Sequence, residues 1–154
     1  MGDGSVIRPG DVQLMSAGSG VVHSEFNASK SEPVHFLQIW IQPDRRGKQP
    51  GYQQREFPTS QRRGRLRLVV SPDGADGSLT IAQDARLCVG NLSTGERIEH
   101  LIGEGRQAWL QVIRGSIECG VDRLVGGDGV GITAAGAVDI RATSDTEILV
   151  FDLP

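Results

Sequence analysis

The stretch Gly18-Ser19-Gly20-Val21-Val22-His23-Ser24-Glu25-Phe26-Asn27 sets an imidazole and a carboxylate two residues apart behind a glycine-rich turn. In an extended strand, residues two apart point to the same side, so His23 and Glu25 can reach one cation. Nitrogen and oxygen donors of this kind suit iron, nickel, copper or manganese, and zinc takes them too. Two donors do not complete a site, and the chain offers few others. Its remaining histidines are His35 and His100, and its cysteines are Cys88 and Cys119. His35 shares a strand face with Leu37 and Ile39, which predicts a hydrogen-bonded core imidazole or a pocket wall. His100 alternates with Ile98 and Ile102 while Arg97 and Glu99 take the other face, which predicts a half-buried, satisfied imidazole. Cys88 and Cys119 lack the close pairing of a zinc knuckle and sit among strand-forming residues, so small buried side chains are expected.

The elements that must hold these groups read as β-strands. Twenty-one glycines and seven prolines in 154 residues interrupt the chain too often for many long helices. Trp109-Leu110-Gln111-Val112-Ile113 and Ser116-Ile117-Glu118-Cys119 flank Arg114-Gly115, which predicts a hairpin. Gly126-Gly127-Asp128-Gly129 predicts another turn before a strand at 130–133, and two more strands are expected at 137–142 and 146–153. Short strands at this spacing suggest a sandwich or barrel.

The chain divides into a short first unit at 1–42, a polar connector at 43–77 with one strand at 65–70, and a second unit at 78–154. The second unit has about eight strands, enough to close on itself. About forty residues bury too little to form a core alone, so the first unit is incomplete. Met1-Gly2-Asp3-Gly4 shows no basic segment followed by an apolar one, and no run approaches the ~18 apolar residues of a membrane span. A soluble, cytoplasmic protein is expected, with no membrane partner. A formal charge of -3 argues against general nucleic-acid affinity. The run Arg62-Arg63-Gly64-Arg65-Leu66-Arg67 is therefore read as an exposed strand, with Arg65 and Arg67 outside and Leu66 and Leu68 inside. Arg45-Arg46 reads as a turn with Asp44 as charge partner.

Residues 7–20, running on through His23-Ser24-Glu25, resemble the second half of the metal-binding barrel of the pirin family. Leu37-Gln38-Ile39-Trp40-Ile41, Tyr52-Gln53-Gln54-Arg55, Ser71-Pro72-Asp73, Trp109-Leu110-Gln111-Val112 and Phe151-Asp152-Leu153-Pro154 carry the likeness across the chain. Gly20-x-x-His23-x-x-x-Asn27 is similar to the second general cupin motif, with Gly18 where that motif usually has proline.

The resemblance implies an all-β bicupin of jelly-roll barrels: a complete, metal-free C-terminal barrel and an incomplete N-terminal one. It also implies that His23 and Glu25 are two of four metal ligands, the others belonging to an earlier His-x-His element that would lie before this chain begins. The expected metal is Fe(II), with nickel, copper, manganese or zinc as alternatives. Complete bacterial pirins resemble quercetin 2,3-dioxygenases, which implies a flavonol-like substrate and a catalytic role for Glu25 as acceptor of the substrate hydroxyl proton. With half the ligands missing, activity in this short chain is expected to be weak or lost. The alternative is a non-catalytic, iron-binding or protein-binding regulator of pirin type. Two incomplete first units packed about a twofold axis would cover each other's open edges and bring two copies of His23 and Glu25 around one ion, so a homodimer is expected.

Overall fold

The computed structural model describes residues 4–45 and 47–154. Met1–Asp3 and Arg46 lie outside the described residues, and with them parts of the leader and turn readings. Strands β1 (Asp11–Ser16) and β2 (Gly51–Glu56) form an antiparallel pair, with Asp11 opposite Glu56 and Ser16 opposite Gly51. A one-turn helix, α1 (Thr59–Arg62), leads into β3 (Leu66–Ser71), followed by β4 (Leu79–Thr80) and β5 (Arg86–Leu92). The rest of the chain is β6 (Arg97–Ile102), β7 (Gln107–Arg114), β8 (Ser116–Cys119), β9 (Asp122–Val125), β10 (Gly129–Ile132), β11 (Gly136–Ala142) and β12 (Thr146–Leu153). One sheet has the order β10-β7-β12-β5-β3-β4 and another β6-β11-β8-β9. Among the described residues, no helix is long and apolar enough to cross a membrane.

Three layers result. Leu110, Val112, Ile148 and Val150 of the larger sheet meet Ile117, Cys119, Ile140 and Ala142 of the smaller sheet in one buried cluster. On the other face of the larger sheet, Val69, Leu87, Val89 and Leu149 pack with Phe57, and Val12 and Leu14 of β1 lie against them. The larger sheet is thus covered on both sides. That is why Ile148, Leu149 and Val150 are consecutive and all buried: the outer two face one cluster and Leu149 the other. Each such burial is worth about 1.5–3 kcal/mol. β3, expected within the 43–77 stretch, hydrogen-bonds antiparallel to β5 as a member of this sheet.

The hairpin expected at Arg114-Gly115 does not form. β7 pairs with β10 and β12, whereas β8 pairs with β9 and β11, so the chain crosses from one sheet to the other at Gly115. Gly115 has φ 79°, and a Cβ there would collide with the Asp145 carbonyl oxygen and with Thr146. Only glycine fits so sharp a corner against β12. The turn at 126–128 makes the reverse crossing, from β9 back to β10.

Candidate functional site

After Ser16 the chain leaves β1, makes an excursion through residues 17–50, and returns at Gly51. The antiparallel pairing of β1 with β2 pins both ends. The outgoing limb starts with a tight turn in which the Gly20 amide donates to the Ala17 carbonyl at 2.8 Å. Gly18 takes φ 56°, and a Cβ on it would collide with the Lys48 carbonyl and come within 2.7 Å of the Pro50 nitrogen. The departure from the cupin motif at this position therefore has a physical reason. Proline is locked near φ ≈ −65° and cannot adopt this geometry, while glycine lets the outgoing and returning limbs touch.

His23 and Glu25 lie on this limb and are both exposed, flanked by the exposed apolar side chains of Val22 and Phe26. Beyond them the chain closes a local turn. The Asn27 side chain accepts from the Ser29 amide at 3.0 Å and donates to the Glu32 carbonyl at 2.7 Å, and Ser29 Oγ accepts from the Glu32 amide at 2.9 Å. Asn and Ser side chains that bond their own backbone in this way set the direction of a loop. Among the described residues, no group of three or more His, Cys, Asp or Glu side chains is placed to hold a metal ion. The pair has the right donor chemistry for a divalent metal, but no third donor among the described residues joins it. Two solvent-open donors do not fit a firmly held ion.

The remaining candidates fall elsewhere. His35 is exposed rather than in the core, and its Nδ1 lies 3.3 Å from Arg114 Nη2 at the end of β7. The guanidinium can only donate, so Nδ1 is the acceptor in this contact. His100 is half-buried on β6, but the expectation of a satisfied imidazole fails because its Nε2 is buried without a hydrogen-bond partner. Burial holds the His100 pKa below its ordinary value of 6.5, with the charge of Asp152 acting in the opposite sense. Both cysteines are free; Cys119 is buried and Cys88 partly so. Burial, helped by Asp152, pushes the Cys88 thiol up to about 11, and burial also raises Cys119. Neither offers a thiolate near neutral pH, which accords with small packing side chains.

The basic run is drawn into the α1–β3 corner. Arg62 is buried, contrary to the exposed-strand reading, and pairs with Glu147 of β12 at 3.0 Å. Arg65 donates to the Gln61 and Ser60 carbonyls, and Arg67 lies 5.4 Å from the Phe57 ring centroid. Arg45 pairs with Asp44 at 3.2 Å, as expected.

Sequence reasoning also missed a cleft of about 460 Å³ between the returning limb and the larger sheet. Leu37, Ile39 and Ile41 form one wall, and Trp109, Leu149 and Phe151 form the other. Its signal was the run at 34–41, apolar in both phases and therefore able to cover the sheet on one side while exposing apolar groups on the other.

Two packed β-sheets exchanging strands at sharp corners, preceded by a limb carrying His23 and Glu25, define a cupin-type all-β protein. A family model described as "Quercetinase C-terminal cupin domain" matches residues 68–153, one described as "Pirin" matches residues 1–41, and the chain belongs to the pirin family. It is 41% identical over 154 residues to a protein of Escherichia coli (strain K12) named quercetin 2,3-dioxygenase, covering 100% of this chain and 65% of that protein. A pirin-like protein of Caulobacter vibrioides is 37% identical over 145 residues, covering 93% of this chain and 62% of its own length. The crystal structure of the bacterial pirin YhhW from Escherichia coli in complex with nickel(II) superimposes with a TM-score of 0.86 at 41% identity, over 94% of this chain and 62% of that one. The chain thus spans less than two thirds of the length of these relatives.

Proposed function

We propose that this protein serves the chemistry of the quercetin 2,3-dioxygenase-like pirins, with His23 and Glu25 as its contribution to a divalent metal centre. The single observation that carries the reading is the His23-x-Glu25 pair, standing free on a limb anchored by β1 and β2. Likeness to a relative named quercetin 2,3-dioxygenase supports a flavonol-like substrate. Support for a metal comes from a pirin relative solved with nickel(II). Fe(II) is the metal proposed first, with nickel next and copper, manganese or zinc as alternatives. When bound, the metal supplies Lewis-acid and O₂ chemistry; the chain's own part is two donors and, at Glu25, an acceptor for a substrate hydroxyl proton. With two solvent-open donors, this chain alone has little or no turnover.

A second reading, a non-catalytic iron-binding or protein-binding regulator, draws on the exposed apolar side chains of the excursion, Val22, Phe26, Phe36 and Trp40. Quercetin consumption after addition of iron, nickel or copper separates the two, with His23→Ala and Glu25→Gln as controls. Turnover abolished by either substitution supports the enzyme. Metal binding without turnover supports the regulator, and neither activity in a folded protein contradicts both readings for this chain.

A further inference from the structure

The smaller sheet leaves a gap beside β11. β6 pairs with β11 from Gly136 to Arg141, whereas β8 pairs with it only at Ile140, Arg141 and Ala142. β8 ends at Cys119 and turns back through Gly120 and Val121, so the other edge of 136–139 has no strand against it. A cleft of about 620 Å³ opens there between β10, β11 and the β8–β9 turn, within the size range of ligand pockets. Its lining residues lie between 97 and 141. The smaller sheet and β1 pack on opposite faces of the larger sheet, which separates this cleft from the first unit.

Two kinds of surface meet in it. Val130, Ile132 and Val138 pack on the inner cluster, Cys119 belongs to that cluster, and together they form an apolar floor. The rim carries two guanidinium groups and three carboxylates. Arg97 is held by Asp139 at 2.8 Å and Arg141 by Glu118 at 3.3 Å. The third carboxylate, Asp122, has no ion-pair partner among the described residues. Directly opposed residues of neighbouring strands share a face, and Ile98, Ile140, Cys119 and Asp122 form one row across the four strands of the smaller sheet. The first three turn toward the inner cluster, and Asp122 ends the row with a charge on the same side. Its field reaches the floor: burial first, and then the charges of Asp122 and Asp139, raise the Cys119 thiol above its ordinary pKa.

We propose that this cleft binds an amphipathic monoamine, with the ammonium on Asp122 and the hydrocarbon body on Val130, Ile132 and Val138. An ammonium group has three donors, and the unpaired edge of β11 supplies backbone acceptors beside the carboxylate. An anion is disfavoured because both arginines of the rim are already paired and the odd charge is negative. A wholly apolar molecule would desolvate Asp122 without giving it a partner.

The test is titration with octylammonium and, separately, with octanoate, a probe of similar body and opposite charge, followed by amide NMR shifts. Octylammonium should shift residues 119–122 and 130–139. It should bind about fivefold more tightly than octanoate, the factor expected of one partly exposed ion pair. Asp122→Lys, at an exposed position, should reverse that order while the circular dichroism of the β-sheets is retained. No saturable binding of octylammonium at millimolar concentration overturns the proposal. So does equal binding of the two probes, or an order unchanged by Asp122→Lys. Shifts centred instead on the other cleft, at Leu37, Ile39 and Trp109, overturn it as well.

Discussion

Glu147→Ala tests how the α1–β3 corner is tied to the centre of the larger sheet. The Arg62 and Glu147 side chains keep only 11% and 26% exposure and meet at 3.0 Å. Arg62 has few other partners: Nη2 lies 3.5 Å from Thr59 Oγ1 and Nε is buried without one. Removing the carboxylate strands a guanidinium in a desolvated place. Fully buried pairs broken in this way cost about 3–5 kcal/mol. Glu147 retains some contact with water, so the expected loss is about 2–3 kcal/mol, or roughly 5–10 °C in Tm for a chain of this size. The Arg97–Asp139 pair provides an internal control. It is closer, at 2.8 Å, but exposed at 60% and 59%, and Asp139→Ala should cost at most about 0.5 kcal/mol. Arg62→Met combined with Glu147→Leu should be less destabilising than Glu147→Ala alone, since no charge is left unpaired. The assay is thermal and urea unfolding of the four proteins side by side. Equal losses for Glu147→Ala and Asp139→Ala, or a double variant worse than the single, would refute the reasoning.

Other consequences follow from the same geometry. The folded-state pKa of His100 lies below 6.5, so the unfolded chain takes up the proton first. Stability should fall as pH drops through 6.5 and on through the folded value; His100→Leu should flatten that acid limb in pH-dependent melting curves and also remove the orphaned Nε2. Gly115→Ala should cost about 2–4 kcal/mol in urea unfolding, combining the left-handed conformation with the collision against Asp145 and Thr146. With its thiol pushed up to about 11, Cys88 should react with a disulfide reagent at pH 8 far more slowly in the folded protein than in urea, followed by absorbance.

Much of the fold was legible because alternation in 109–113 and 137–142 reports which side chains go inward. Pairing was not legible. Arg114-Gly115 signals a turn, but nothing local says whether the next strand folds back on β7 or joins the other sheet; contact with Asp145 and Thr146, thirty residues on, decides it. The same holds for Arg62, whose burial depends on Glu147. His35 shows the limit of face counting: its phase matches Leu37 and Ile39, but it sits at the Arg114 end of the limb, beyond the sheet that covers them. The candidate pair His23 and Glu25 was readable from residue type and spacing, since both depend on one local segment. That no third donor among the described residues reaches them depends on contacts far along the chain, and only the structure shows it.

The most direct test of the central claim is nickel(II) or Fe(II) titration of the purified protein by calorimetry, beside His23→Ala and Glu25→Gln. Weak binding by the parent chain that disappears in both variants is the predicted result. Binding that survives His23→Ala and Glu25→Gln unchanged would contradict the assignment of these two side chains as its metal donors.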